Sequence, residues 1–368
     1  MPPRRRKTPL LTRPMSASSP APGRTPQSAD YSSPEVSADR RVTLRYPHPT
    51  ARAVWCEAEW NDWRRVPLER DGNGLWSCTS APLAPDIYEY NLFADGARVL
   101  DPQNPLTKNR FTSMVDVPGA EPAAYDMRPV PHGTMHIHWY DSSVAGCPRR
   151  MHVYTPPGYE TEPSRTYPVL YLLHGAGDND DGWTRSGRAH CIMDNLIAAG
   201  RATRMVVVMP DGHILGCNWK EDRARKLAAF DADFEKHLVP EIERLYRVGR
   251  GREHRAMAGL SMGGGQTVAI GLTRPLQYSA YGLFSSGLWP EVAPLLTPAL
   301  PELRQNPPDT LWVGIGRRDF LFGHCTLLRE TLTAAGIPFA YHEDDTGHSW
   351  RTWRVYLEHF APLLFRAP

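Results

Sequence analysis

Seven residues, Tyr167-Pro168-Val169-Leu170-Tyr171-Leu172-Leu173, run without a single charge, and Met205-Val206-Val207-Val208-Met209 repeats the pattern further on. A strand with one wet face alternates in polarity. These do not, so both faces must be covered, as in the central strands of a parallel sheet. Shorter strands are predicted at Arg150–Tyr154, at the residues just before Ser261, and at Tyr281–Ser285, Thr310–Ile315 and Phe339–His342. Between them fall helical patterns: 191–199 closed by Gly200, 230–246 with Phe234, Leu238, Ile242 and Leu245 on one face, 325–335 closed by Gly336, and 350–365. Strands alternating with helices imply an α/β domain, a mostly parallel sheet with helices on both faces.

The chain before it has a different texture. From Arg41 to about Pro118 short alternating stretches are separated by turns at Asp71-Gly72-Asn73-Gly74 and Asp95-Gly96, which predicts a small all-β sandwich of six strands. Residues 1–38 are rich in Pro, Ser and Arg, lack apolar periodicity, and read as a disordered basic tail. The expected division is therefore 1–38 tail, 39–118 sandwich and 119–368 α/β domain, with 119–134 as linker. Trp60-Asn61-Asp62-Trp63, Gly74-Leu75-Trp76, Tyr88-Glu89-Tyr90 and Asp101-Pro102 resemble an early-set, immunoglobulin-like domain of the glycogen-binding-module type. That resemblance implies a sugar contact by Trp60, Trp63 or Trp76, although small sandwiches commonly bury such tryptophans in their cores, which is the reading preferred here.

Charge narrows the partners. Arg4, Arg5, Arg6, Lys7, Arg13 and Arg24 face Asp30 alone up to Pro34, so the overall +2 leaves a folded part that is mildly acidic. Nucleic acid is not indicated. No run of eighteen apolar residues spans a membrane, and the basic start has no apolar core to make it an export signal, so a cytoplasmic location is expected. The six cysteines follow no metal or redox spacing and are expected as thiols; whether Cys56 and Cys78 pair is open. His136 and His138 share a strand face without a third ligand, and Asp178-Asn179-Asp180-Asp181 lacks the glycine a calcium loop requires. The first reads as a polar strand face, the second as a solvated loop; neither a metal nor a cofactor is expected.

The chemistry sits in Gly259-Leu260-Ser261-Met262-Gly263, a G-x-S-x-G run between a strand and a helix. Such an elbow holds the serine in a sharp turn, where flanking side chains would strike the backbone. Asp319 and His348 follow in the order nucleophile, acid, base, each beyond the end of a strand, where open α/β sheets place ligands. A serine hydroxyl is a poor nucleophile, so His348 would take its proton and Asp319 would orient the imidazole. Glu343, Asp344, Asp345 and Asp211 compete for the acid's place; Asp319 is preferred because it ends the strand before the histidine's own. For the oxyanion, the Met262 N–H and an N–H of His174-Gly175-Ala176-Gly177 are expected, Ala176 first and Gly175 as the alternative.

Val153-Tyr154-Thr155-Pro156-Pro157-Gly158-Tyr159, Leu172-Leu173-His174-Gly175, Ala258-Gly259-Leu260-Ser261-Met262-Gly263-Gly264, Gly316-Arg317-Arg318-Asp319-Phe320 and Gly347-His348-Ser349-Trp350 together resemble the esterase D-like, carbohydrate esterase family 1 group of α/β-hydrolases. Feruloyl and acetylxylan esterases belong to that group and enterochelin esterases are related. The resemblance covers residues 130 to 368 and implies Ser261, Asp319 and His348 as the triad of a cofactor-free serine esterase. Thr346 departs from it, standing where a second glycine often precedes the Gly-His pair. Trp183, Asn218, Trp219, Trp289, Phe320, Phe322 and Trp350 stand at or after strand ends and are candidates to line a cleft for a ring-bearing acyl group. A small-molecule or carbohydrate ester, feruloyl or acetyl, is the expected substrate. A siderophore trilactone, acyl transfer to a sugar, and a non-catalytic carbohydrate-binding role are the alternatives.

Overall fold

The computed structural model describes residues 31–108, 111–216 and 222–366. The front domain is a two-sheet sandwich. Its first sheet runs β1-β2-β6-β5, from Glu35–Val36, Val42–Pro47, Leu75–Thr79 and Glu69–Arg70. Its second runs β4-β3-β7-β10-β9, from Val66–Pro67, Val54–Ala58, Asp86–Ala94, Thr112–Val117 and Thr107–Lys108, with β8 (Ala97–Val99) on β7. Six strands were too few, because β1, β4, β5, β8 and β9 are two- or three-residue edge pieces that leave no periodic trace. The sandwich also begins before residue 39: Glu35 pairs with Thr43, and the Ser33 hydroxyl donates to buried Asp101 at 2.5 Å. The rest of the expected tail, residues 1–30, lies outside the described residues.

The second domain carries an eight-stranded sheet ordered β11-β12-β14-β13-β15-β16-β17-β18. These are Thr134–Ser142, Cys147–Thr155, Val206–Pro210, Val169–Leu173, Arg255–Leu260, Ala280–Phe284, Thr310–Gly316 and Ala340–Asp344. β11, β12 and β14 pair antiparallel and every later pairing is parallel. The apolar runs are explained by the two cores this sheet separates. Val169, Tyr171 and Leu173 pack with Phe230, Phe234, Leu238 and Ile242, while Leu170 and Leu172 pack with Ile192, Leu196, Tyr356 and Phe360. Each such side chain buried contributes roughly 1.5–3 kcal/mol, so neither face tolerates a polar residue.

The helices lie close to their predicted places, at Ala189–Ala198, Phe322–Ala334 and Trp350–Phe360. The helix expected over 230–246 is longer, starting at Arg223, and passes through a wider turn at Phe234–Leu238 before ending at Leu245. Pro240 has no N–H to offer the preceding turn, which favours the widened geometry there. Leu245 leaves the shared face and is 37% exposed.

Three local features were open to other readings, and the last of them departs from the expected one. Cys56 and Cys78 are free thiols with sulfurs 3.7 Å apart. His136 Nε2 meets the Thr155 hydroxyl at 3.1 Å and His138 meets the Tyr246 hydroxyl, and no group of three metal-ligating residues occurs among the described residues. Asp178 and Asp180 are not solvated: they are 9% and 3% exposed, and Asp180 holds Arg150 at 2.6 Å and His152 at 3.0 Å. Among the described residues, no helix is long and apolar enough to cross a membrane.

The two domains meet over charged groups, of which Arg354 is buried and Asp86 and Arg351 are partly so. Arg354, 1% exposed on the C-terminal helix, reaches Asp86 of β7 at 2.6 Å and the carbonyls of Ser186 and Ile87. Arg351, one turn earlier, takes the other Asp86 oxygen at 2.9 Å. The 119–134 linker is tied down as well, since Asn195 donates to the carbonyls of Ala124 and Asp126 at 2.8 Å each.

Candidate active site

Ser261 terminates β15 with φ +50° and ψ −115°, a conformation that L-residues rarely adopt and that persists only where packing enforces it. Two glycines show what enforces it. A Cβ on Gly259 would stand 2.3 Å from the Gly263 carbonyl carbon, and one on Gly263 would stand 2.6 Å from the His174 carbonyl oxygen. Strand and helix therefore cross at backbone distance. The Ser261 N–H bonds the Phe284 carbonyl at 2.9 Å, and the Ser261 carbonyl accepts from Gly265 at 3.1 Å, opening the Met262–Gln266 helix.

The structure brings Ser261, His348 and Asp319 together from three strand ends. The Ser261 hydroxyl lies 2.9 Å from His348 Nε2, and His348 Nδ1 lies 2.9 and 3.0 Å from the two Asp319 oxygens. The Asp319 side chain is fully buried and accepts the Leu321 N–H at 2.8 Å, which fixes its plane. The competing acids are engaged elsewhere: Glu343 and Asp345 bind Arg317 at 2.7 Å each, Asp344 accepts the Thr346 N–H at 2.8 Å, and Asp211 accepts the His213 N–H at 2.9 Å. The histidine is held between two rings, with Trp353 edge-on at 5.0 Å and Phe320 tilted across it at 4.3 Å between centroids. An arrangement with a hydroxyl, an imidazole and a buried carboxylate in line can move a proton off the hydroxyl at neutral pH.

The loop after β13 closes the other side of the serine. A Cβ added to Gly175 would sit 2.6 Å from Leu260 Cδ1 and in ordinary contact with the Ser261 Cβ at 3.4 Å. Gly175 is buried and Ala176 is exposed. Met262, whose N–H belongs to the first turn of the elbow helix, is 1% exposed.

The expected aromatic lining divides. Phe320 is 74% exposed and lies beside His348. Trp183 and Trp350 are each 1% exposed, cross edge-to-face at 5.0 Å, and belong to the core beneath the site. Trp289, 5% exposed, packs against the elbow helix, where a Cβ on Gly265 would strike its ring. Phe322 is half-buried against the neighbouring core. Asn218 and Trp219 lie outside the described residues. Of the sandwich tryptophans, Trp76 is buried and Trp60 packs on the core, but Trp63 is 41% exposed.

Trp63, weighed in the sequence as a sugar contact or a core residue, stands close to the triad, which the sequence did not indicate. A cleft of about 360 Å³ opens beside His348, and Glu59, Asp62, Trp63, Glu89 and Lys108 of the sandwich form one wall of it. Arg318, Ser349 and Arg351 form the other. Asp62 and Trp63 both hold positive φ, +55° and +59°, and the Trp63 N–H is tied to the Ala58 carbonyl at 2.9 Å. At the base of the wall Lys108 holds Glu89 at 2.9 Å and stands 4.0 Å from Asp178 of the loop after β13. Burial and the neighbouring Glu89 charge push the Glu59 carboxyl up to about 7. No local pattern marks these residues as neighbours of His348, since they come to it from the other domain.

Comparison with known proteins gives the family. Residues 142–362 match the family described as "Putative esterase". An endo-1,4-beta-xylanase/feruloyl esterase of Xylanibacter ruminicola is 32% identical over 347 residues, covering 90% of this chain and 46% of the relative, so the chain spans about half of that protein's length. A solved ferulic acid esterase superposes with TM-score 0.54 at 26% identity, covering 63% of this chain and 97% of its own. The enterobactin esterase of Shigella flexneri superposes with TM-score 0.63 at 16% identity and covers 88% of this chain and 92% of its own, so the likeness in fold extends to the front domain.

Proposed function

This chain belongs to the esterase family of carboxylic ester hydrolases, and from that premise we propose that it cleaves carbohydrate-linked esters, feruloyl or acetyl, through an acyl-enzyme on Ser261. The observation that carries the reading is the unbroken hydrogen-bonded line from the Ser261 hydroxyl through His348 to buried Asp319. In the first half-reaction Ser261 Oγ attacks the ester carbonyl as its proton passes to His348 Nε2. The tetrahedral oxyanion takes the Met262 N–H and an N–H of the Gly175–Ala176 stretch. His348 then protonates the leaving alcohol, and water, deprotonated by the same imidazole, releases the acid and restores the serine. Asp319 keeps Nδ1 protonated and stabilises the imidazolium, without accepting the proton.

Two features support the substrate class. Phe320 offers an exposed ring beside the reacting histidine, suited to an aromatic acyl group. The cleft between the domains carries carboxylates, arginines and one exposed tryptophan, the mixture that recognises a polyhydroxylated alcohol rather than a fatty chain. The relative named as a feruloyl esterase fits the same reading.

The test is a fluorophosphonate label together with a rate panel of methyl ferulate, acetylated xylan oligosaccharides, longer-chain esters and a catecholate trilactone. Labelling at Ser261 with preference for the first two substrates is expected. The extension of the enterobactin esterase likeness over both domains favours a second reading, hydrolysis of a trilactone, and a rate highest on that substrate would replace the first.

A further inference from the structure

A hydrogen-bonded relay runs behind the reacting atoms. Gln266, fully buried at the end of the elbow helix, donates Nε2–H to the Gly212 carbonyl at 2.9 Å. The Gly212 N–H donates to His174 Nε2 at 2.8 Å. His174 Nδ1 in turn meets the Gly175 carbonyl at 2.7 Å. Asp211 Oδ1, 3.3 Å from His174 Nε2, would favour a charged ring, but the Gly212 N–H pointing at that nitrogen needs its lone pair. The ring is therefore neutral with its proton on Nδ1, donating to Gly175. His174 is 1% exposed, and the Ser261 hydroxyl is engaged by His348.

The consequence follows from the planarity of the peptide unit. In a trans peptide the C=O of one residue and the N–H of the next point in opposite directions. The Gly175 carbonyl is drawn inward by His174 and by the Asp178 N–H at 3.1 Å, so the Ala176 N–H is turned outward. Gly175 stands beside Ser261, since a Cβ built on it would lie 3.4 Å from the Ser261 Cβ, so this peptide borders the place a reacting carbonyl would take. The other end of the relay, Gln266, stands on the same short helix whose first turn holds the Met262 N–H.

We propose that His174 and Gln266 are positioning residues that hold the Gly175–Ala176 peptide in the orientation that stabilises the oxyanion, linking both halves of the oxyanion site through Gly212. The inference rests on the esterase reading and adds to it residues that touch no substrate atom.

The test uses the full chain and two polar substitutions of similar size. His174→Asn keeps an N–H where Nδ1 stood; His174→Gln keeps an acceptor for Gly212 but loses that N–H. Loss of an oxyanion donor typically lowers kcat about 10²–10³-fold. His174→Gln is expected to lose about 10²-fold in kcat on 4-nitrophenyl acetate with KM within about 3-fold, and to bind phenylboronic acid correspondingly more weakly, while His174→Asn recovers at least about 10-fold of that loss. Equal rates for the two folded variants, or a fall in KM-limited binding alone, overturn the proposal. Where the His174 variants do not fold, Gln266→Met decides: about a 10-fold lower kcat at unchanged KM supports the relay, and a wild-type kcat in the folded variant overturns it. Ser261→Ala separates the two layers. If it still hydrolyses esters at the wild-type rate, the reading of Ser261 as the acyl-enzyme nucleophile fails; if it is inactive while His174→Gln remains at wild-type rate, only the relay fails.

Discussion

Lys108, in a two-residue strand of the front sandwich, stands 4.0 Å from Asp178, in the loop that lies beside Ser261 of the other domain. The same ammonium holds Glu89 at 2.9 Å, and both its neighbours are nearly buried. Their charges favour its protonated form against the cost of burial. The sandwich is thus built into the wall of the active site, with one cation balancing carboxylates from both domains.

Lys108→Met leaves those carboxylates unpaired in a place that water barely reaches. Breaking one partner of a buried ion pair costs about 3 kcal/mol, so urea unfolding should shift by that order, with kcat falling as the Asp178 end of the loop relaxes. A variant with unchanged stability and rate would show that the domain contact is incidental to catalysis.

Phe320 lies across His348 and is open to solvent, which leaves its ring free for contact with a substrate. Stacked aromatic pairs contribute about 0.5–1.5 kcal/mol beyond area burial. Phe320→Ala should raise KM about 5- to 10-fold for methyl ferulate and leave acetyl esters within about 2-fold. Equal losses on both substrate types would assign Phe320 to the histidine instead of the acyl group.

Asp319 and Asp345 compete for one role in the sequence, and the structure separates them. Asp319→Asn should cost about 10⁴-fold in kcat with little change in thermal stability, because an amide favours the wrong imidazole tautomer. Asp345→Asn removes a surface partner of Arg317 and should leave kcat unchanged. Steady-state kinetics of the pair checks both, and a large effect at Asp345 would falsify the assignment.

Glu59 ties stability to pH. Its carboxyl, ordinarily near 4.5, is pushed up to about 7 by burial and by the Glu89 charge. The native state therefore binds this proton more tightly than the unfolded chain. The contribution is fully present below about 4.5 and is lost as pH rises through about 7. Part of the side chain remains accessible, so the loss is on the order of 2 kcal/mol. Glu59→Gln should flatten the unfolding free energy between pH 5 and pH 7.5, and an identical pH slope in both proteins would remove Glu59 from the account.

Much of the second domain was legible because its signals are local. Unbroken apolar runs specify strands covered on both faces, and glycines around Ser261 specify a crossing at backbone distance. The order Ser261, Asp319, His348 at successive strand ends followed from the same strands, and the three side chains do meet. What local pattern could not decide was which aromatic residues are core. Trp183, Trp350 and Phe320 read alike in sequence, yet two are sealed beneath the sheet's end and one is open. Nor could it show that Glu59, Trp63 and Lys108 border His348. That wall exists because Asp86 meets Arg354 across 268 residues of chain, and a contact of that separation has no periodicity to announce it. The chain's own residue pattern determined the sheet and the elbow. Only tertiary packing decided how the two domains meet and what cleft their meeting leaves.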